Sequence, residues 1–329
     1  MKFSKHVKWV VVLSVLIMVL AAFFFLSPWT MGIAKAKSTR IDIRTVDADG
    51  PGYTFADNIV TITRNGYYTI TGTTNTRSVF VQDGLVDVNI TLSGVNINLS
   101  ERGGCPFAIF DDAEVNLTLV GDNTLISGHG DAGLMVPPLA TLVITENSKG
   151  SLTVTGGGTG GGAGIGCGGT GGRGFRGGNI TIMGGTIRAT GGRGSAGIGG
   201  ERSSYVNISG GGGGNITIGG SADVTAMGGD DGAAGIGGGG GGGRGGDSGN
   251  ITITGNASVT AVGGSGSAGG AGVGSGGSVD GFDVAGAFQN VIINNTGRQN
   301  FQGGKGTNGR NGADVGTGGG KDGPGVQMM

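Results

Sequence analysis

Residues 179–200, NITIMGGTIRATGGRGSAGIGG, decide the fold because their three parts recur in a fixed order on both sides. The first part is Asn-Ile-Thr-Ile. Its alternation with a period of two places the isoleucines on one face and asparagine and threonine on the other, which is typical of a half-buried β-strand. Copies of this first strand begin at Val88, Val115, Ala140, Asn179, Asn215, Asn250 and Asn290.

The other two parts also predict short strands. The second follows a glycine turn and has an inward pair such as Ile187 and Ala189. The third is the Ala-Gly-Ile-Gly group, which occurs at Ala196 and again at Ala234. Copies recur about every 25 to 29 residues upstream and 31 to 40 residues downstream. A fixed order at such a period is typical of a solenoid.

Stacking one strand of each type per turn, about 4.8 Å apart, gives an all-β, single-stranded parallel β-helix with Gly-rich corner loops. We count about eight coils when Asn58–Ile62 is taken as a first, weaker copy of the first strand. The register predicts that Ile180, Ile216 and Ile251 are consecutive neighbours. The asparagines should form a ladder in which each side chain bonds the next, and this ladder is interpreted as structural.

The N-terminus is typical of a secretory signal peptide, residues 1–36. Lysines precede the apolar run of 18 residues from Trp9 to Leu26, and Ala34-Lys35-Ala36 supplies small residues for cleavage. The run is also just long enough for a retained N-terminal membrane anchor, so both alternatives stand. Removal of residues 1–36 leaves 17 basic against 22 acidic residues. This balance argues against a nucleic-acid partner.

Further boundaries follow from composition. The domain ranges are 37–57 as an N-terminal capping segment, 58–157 as well-packed β-helix coils, 158–301 as Gly-rich coils, and 302–329 as a disordered Gly-rich tail. The Gly-rich corners are either mobile linkers or extended segments that lie side by side. Glycine contributes 82 residues, but only six prolines are present and Gly-X-Y triplets with proline are absent, which excludes collagen. Cys105 and Cys167 are predicted to be free thiols because their positions fall on coils too far apart for a disulfide.

One corner of two adjacent coils gathers carboxylates. The candidate metal ligands are Asp83, Asp87, Asp111, Asp112 and Glu114. Clustered oxygen ligands suit Ca²⁺, which also relieves their mutual repulsion. The alternative is a solvated acidic corner.

The outward side of the third strand predicts a glycan-binding surface. The candidate ligand-binding residues are Phe80, Phe110, Met135, Gly164 and Gly197. Aromatic faces stack on sugars, and a glycine floor would let a polysaccharide approach the backbone. The alternative is that the terminal segments cover this stripe.

The block GSLTVTGGGTGGGAGIGCGG, with the later NITI, ATGG and AGIGG repeats, resembles a family of secreted bacterial carbohydrate-binding β-helix proteins of the clostridial cellulose- and pectin-binding type. The upstream runs NGYYTITGTT, VNITLSGVNI and VNLTLVGDNTLISG resemble that family's N-terminal coils. The resemblance covers residues 57–293. It implies a right-handed helix similar to pectate lyases, calcium, and binding of plant-wall or acidic polysaccharides.

We therefore expect a secreted or cell-surface, non-catalytic polysaccharide-binding protein, with calcium assisting. One alternative is a structural or adhesive cell-envelope protein that self-associates. A pectate-lyase-like enzyme is the least favoured, because abstraction of the proton from a uronide needs a basic residue beside the metal. No aligned strand face carries Arg or Lys near Asp111.

Overall fold

The computed structural model describes residues 38–158, 160–169, 171, 173–278, 284–320 and 325–327. Regular structure within these residues consists of β-strands and one 3-10 helix at Thr307–Gly309, so this part of the chain is all-β. The predicted signal peptide or anchor, residues 1–36, lies outside the described residues. Among the residues that are described, no helix is long and apolar enough to cross a membrane.

The strands are short and follow one another along the chain. They are β1 (Thr39–Asp42), β2 (Tyr53–Ala56), β3 (Ile59–Ile62), β4 (Gly66–Thr74), β5 (Ser78–Val81), β6 (Val88–Asn98), β7 (Phe107–Ile109), β8 (Glu114–Val120), β9 (Asp122–Ile126), β10 (Leu134–Met135), β11 (Thr141–Ile144), β12 (Ser151–Thr155), β13 (Ile165–Gly166), β14 (Asn179–Ile182), β15 (Thr186–Thr190), β16 (Ile198–Gly199), β17 (Asn215–Ile218), β18 (Asp223–Met227), β19 (Ile236–Gly237), β20 (Asn250–Gly255), β21 (Ser258–Val262), β22 (Val273–Gly274), β23 (Val291–Asn295), β24 (Gln299–Gln302) and β25 (Val315–Gly316).

Strands that hold the same place in successive repeats pair in parallel, as in a solenoid. In the first ladder Ile180 pairs with Ile216, which in turn pairs with Ile251. The predicted register is therefore confirmed. The second ladder passes through β9, β12, β15, β18, β21 and β24, and joins the first through β6 in a 15-stranded sheet. The third ladder is the 10-stranded sheet from β2 to β25.

The apolar core fills the space between the ladders. In the third ladder Phe107 pairs with Leu134, and Leu134 pairs with Ile165. In β14 the isoleucines are buried, while Asn179 and Thr181 are partly exposed, as the alternation predicts. Burial of each such isoleucine stabilises the fold by roughly 2 kcal/mol.

The N-terminal end differs from the expected register. Residues 59–62 pair with Ser78–Val81 of β5 and therefore belong to the third ladder. Gly66 instead pairs with Val88, which places β4 in the first ladder. Counting Asn58–Ile62 as a copy of the first strand was wrong, because all three strand types share the same alternation. Within residues 37–57, β1 pairs with β4, and β2 runs antiparallel to β3.

The C-terminal end also differs. The predicted disordered tail, residues 302–329, includes described residues that continue the solenoid. Val315 pairs with Val273, and Gly316 forms an antiparallel bridge with Gln327. Repetition of the Val-Gly pair lets this segment join the third ladder even though it has little apolar periodicity.

The Gly-rich corners lie side by side, which agrees with the second of the two alternatives. Segments that leave one coil alternate with segments that return to the next. Successive backbone hydrogen bonds run from Gly211 N to Glu201 O (2.8 Å), Gly239 N to Gly211 O (2.9 Å), Gly246 N to Gly239 O (2.7 Å), Gly276 N to Gly246 O (2.9 Å) and Gly286 N to Gly276 O (3.0 Å). A Cβ on any of these glycines would collide with the backbone of a neighbouring segment, so the corner is a packed layer.

Candidate functional site

The acidic corner forms in part, without a metal-binding arrangement. Its two turns stack, since Gly84 N donates to Asp111 O at 3.3 Å and Glu114 N donates to Leu85 O at 2.7 Å. The five predicted ligands Asp83, Asp87, Asp111, Asp112 and Glu114 are all exposed. Among the described residues, no group of three or more His, Cys, Asp or Glu side chains is placed to hold a metal ion. The side chains as placed do not fit a calcium site.

The aromatic end of the predicted glycan stripe is present. The rings of Phe80 and Phe110 meet edge to face, with centroids 5.3 Å apart. Phe110 is 38% exposed. Phe80 and Met135 both pair with Ala108, so they lie in one column with Phe110 beside it. Together they offer a small apolar surface rather than a long stripe.

The glycine end of that stripe is buried, so the prediction of an open floor was wrong. A Cβ on Gly164 would lie 2.6 Å from Gly197 O. A Cβ on Gly197 would lie 2.6 Å from Met227 N. The backbone of the second ladder packs against both glycines, since the same Cβ positions also meet Thr190 N at 2.9 Å and Met227 N at 2.6 Å. Gly164 and Gly197 therefore allow two ladders to approach each other and are closed to a ligand.

The asparagine ladder is confirmed from Asn179 to Asn290, where it is accessible. Upstream the predicted alignment was wrong, because Asn116 pairs with Val143 and Asn179 pairs with Thr141. Asn215 Nδ2 donates to Asn179 Oδ1 at 2.7 Å, Asn250 Nδ2 donates to Asn215 Oδ1 at 2.7 Å, and Asn290 Nδ2 donates to Asn250 Oδ1 at 3.0 Å. An amide has two donors and two acceptor lone pairs, and the ladder uses one of each. Asn215, Asn250 and Asn290 are exposed, so each retains a donor and an acceptor toward solvent.

A groove of ≈ 390 Å³ lies beside this ladder, and we call it the amide groove. Its polar walls are Arg176, Asn215, Arg244, Asp247, Asn250 and Gln289. Glycines of the returning corner segments, including Gly212, Gly214 and Gly249, also line it. Because glycines carry no side chain, a bound molecule can approach the backbone closely.

The charged side chains of the groove differ in the number of partners that they have within the protein. Asp247 pairs with Arg244 at 3.0 Å, receives a hydrogen bond from Gln289 Nε2 at 3.3 Å, and accepts Ala287 N–H at 2.7 Å. Arg176 is exposed and makes no ion pair or hydrogen bond with the described residues. Two guanidinium groups against one carboxylate give the groove a net positive charge.

Resolved pKa shifts lie elsewhere in the molecule. Burial raises the pKa of Asp131, although the hydrogen bond from Gly104 N and the nearby His129 oppose this shift. The Asp131 carboxylate accepts Gly104 N–H at 3.1 Å and so fastens one corner to the next coil. We interpret Asp131 as structural.

Arg176, Arg244 and Asp247 were not predicted as site residues from the repeat pattern. The available signal was a difference between repeats. The segments before the ladder asparagines are RGGN at 176–179, GGGN at 212–215 and DSGN at 247–250, so the position three residues before Asn changes from arginine to glycine to aspartate. This change of charge beside the repeated asparagines of 179, 215 and 250 was the signal that could have indicated a local site.

No protein-family model matches the chain, and no curated protein matches it. Among solved structures, the chain is similar to a polysaccharide lyase-like protein from C. thermocellum, with 20% sequence identity and a TM-score of 0.39. The match covers 82% of this chain and 98% of that chain.

Proposed function

We propose that this protein is a secreted, non-catalytic surface protein that binds polysaccharide, and that the glycan lies in the amide groove. The observation that carries the proposal is the exposed amide ladder with Arg176 at its side, a residue that has no partner in the described part of the chain. Amides and guanidinium groups hydrogen-bond hydroxyl and carboxylate oxygens in fixed directions. The ladder repeats its amides about every 4.8 Å, so several of them can contact one extended polymer.

The charge of the groove favours an acidic glycan. Within the residues that the structure describes, no carboxylate pairs with Arg176, and a uronate offers the two-oxygen geometry that a guanidinium binds best. Secretion is supported by residues 1–36, whose sequence is typical of a signal peptide. We also propose that the β-helix is right-handed and has about eight coils.

Affinity electrophoresis in gels that contain polygalacturonate tests the proposal. Arg176→Gln should weaken binding about tenfold, because a charge-assisted hydrogen bond is lost. Arg188→Gln removes the same charge from an exposed position on β15 and is the matched control. Equal migration of the wild-type protein with and without polygalacturonate would contradict the proposal. So would unsaturated products, seen as a rise in ultraviolet absorbance, since the proposal excludes lyase activity.

Calcium assistance stays a prediction that the geometry of the acidic corner does not support. The same gels run with EDTA and with added Ca²⁺ separate the two cases. Retention that is unchanged by EDTA would remove calcium from the proposal and leave glycan binding in place.

Self-association is a second candidate function, favoured by one feature of the last coil. In the part of the chain that the structure describes, β23 and β24 end the 15-stranded sheet, and their sequences VIINN and QNFQ contain no charged residue. Ile292 of β23 is 58% exposed. Uncharged edge strands readily pair with other chains. Light scattering that rises with protein concentration would favour this role.

A further inference from the structure

The amide groove owes its shape to one missing side chain in a column of the solenoid. Hydrogen bonds continue the ladder register before the asparagines, from Gly177 N to Gly212 O at 3.0 Å and from Gly213 N to Asp247 O at 3.0 Å. In that register Arg176, Gly212 and Asp247 are consecutive. The glycine therefore leaves a gap between an arginine and an aspartate, at the wall of the groove.

Backbone geometry does not require glycine at position 212. Its φ lies outside the left-handed region, and a Cβ would meet its nearest neighbour, Asp247 O, at 3.5 Å, which is ordinary contact. The adjacent glycines differ. A Cβ on Gly211 would overlap Phe175 O, one on Gly213 would overlap Ser248 O, and Gly214 has φ +82°. Packing accounts for those three and leaves Gly212 unexplained.

The two sides of the gap have different capacities for a ligand. Asp247 already has an ion pair and two further hydrogen bonds within the protein. Arg176 has no such partner among the described residues, and its five N–H donors are available. An arriving group that is both small and negatively charged complements this gap, whereas a second cation would be repelled.

We propose that Gly212 is a specificity-determining position whose gap admits one anionic group, a carboxylate or a sulfate ester, that projects from the bound glycan toward Arg176. This inference rests on the proposed function. The amide ladder binds the neutral hydroxyls of the glycan, and the gap beside Arg176 admits its charged substituent. A side chain at position 212 would close the gap without disturbing the solenoid.

The test measures affinity for four polymers by calorimetry: polygalacturonate, its fully methyl-esterified form, a sulfated galactan and the unsulfated galactan. The variants are Gly212→Leu and the smaller Gly212→Ala, with Arg176→Gln beside them. Gly158→Leu is the matched control, because Gly158 is exposed and a Cβ there has nothing within 4 Å. Thermal unfolding of each variant checks that the fold is kept.

The wild-type protein should prefer at least one charged polymer over its neutral form by about tenfold, the usual scale of one charge-assisted contact. Gly212→Leu should abolish that preference, Gly212→Ala should reduce it, and Gly158→Leu should keep it. The polymer that loses affinity identifies the anion as carboxylate or sulfate. If Gly212→Leu keeps the preference while Arg176→Gln loses it, the gap is not selective and the proposed function stands. If the wild-type protein binds none of the polymers, both fall.

Discussion

Burial controls the chemistry of the two cysteines, Cys105 and Cys167. Burial is the main cause that raises the pKa of each thiol to about 12, with Asp131 adding to the effect at Cys105 and Glu201 at Cys167. Because the thiolate is the nucleophile, we expect no reaction with an aromatic disulfide reagent near pH 8 in the folded protein, and reaction of both thiols in urea. Since folding favours the protonated thiols, the free energy of unfolding should fall as pH rises from 9.0 toward about 12. Rapid reaction of the native protein would contradict this.

Single residues also show where prediction from the sequence stops. The asparagine ladder could be predicted because Asn179, Asn215 and Asn250 open identical tetrapeptides. Arg176 and Asp247 could not be found in the same way, because a comparison of repeats reveals what they share, and the groove arises where they differ. Gly164 was predicted to lie on an open surface, because strand alternation gives the face on which a residue lies but not its distance from the next ladder.

At the scale of one strand, the third-ladder glycines set how closely the coils pack. Gly199 of β16 has φ +135°, and a Cβ there would overlap Gly237 O of the next coil. We expect Gly199→Ala to lower the free energy of unfolding by about 1–3 kcal/mol, because it combines a strained backbone with overpacking. Gly158→Ala, at an exposed site with open space, is the control. Urea unfolding gives the free energy of unfolding of both variants. Equal midpoints would show that the coils can move apart at position 199 without loss of stability.

The elements themselves were predictable to different degrees. Strands with identical sequences, such as β14 and β17, fix their own register, and that part of the fold followed from the sequence. Residues 59–62, IVTI, alternate in the same way but belong to the third ladder. Alternation identifies a strand and its buried face, whereas its place in the coil depends on corner lengths that only the folded chain reveals. The order of the glycine corners depends on backbone hydrogen bonds, for which glycine sequences carry no periodic signal.

For the whole molecule, stability is distributed unevenly along the solenoid. The coil at residues 88–114 buries eight large apolar side chains, Val88, Ile90, Leu92, Val95, Ile97, Leu99, Phe107 and Ile109. The longer coil at residues 179–214 buries four, Ile180, Ile182, Ile187 and Ile198. Because each buried side chain of this size contributes roughly 2 kcal/mol, the longer coil gains less from its own core. The Gly-rich coil therefore depends more heavily on its neighbours and on the packed corner layer.

This imbalance predicts that the Gly-rich coils open first. Because each coil contacts only its neighbours, a solenoid can unfold in segments when their stabilities differ. Hydrogen exchange with mass spectrometry at intermediate urea should show loss of protection across residues 179–278 while residues 59–126 stay protected. Ile198→Ala leaves a cavity and should destabilise its coil by about 2–5 kcal/mol. It should therefore move the unfolding of residues 179–278 to lower urea and leave the unfolding of residues 59–126 in place. A single transition for all segments, shifted as a whole by Ile198→Ala, would instead mean that the glycine layer couples the coils as strongly as the apolar core does.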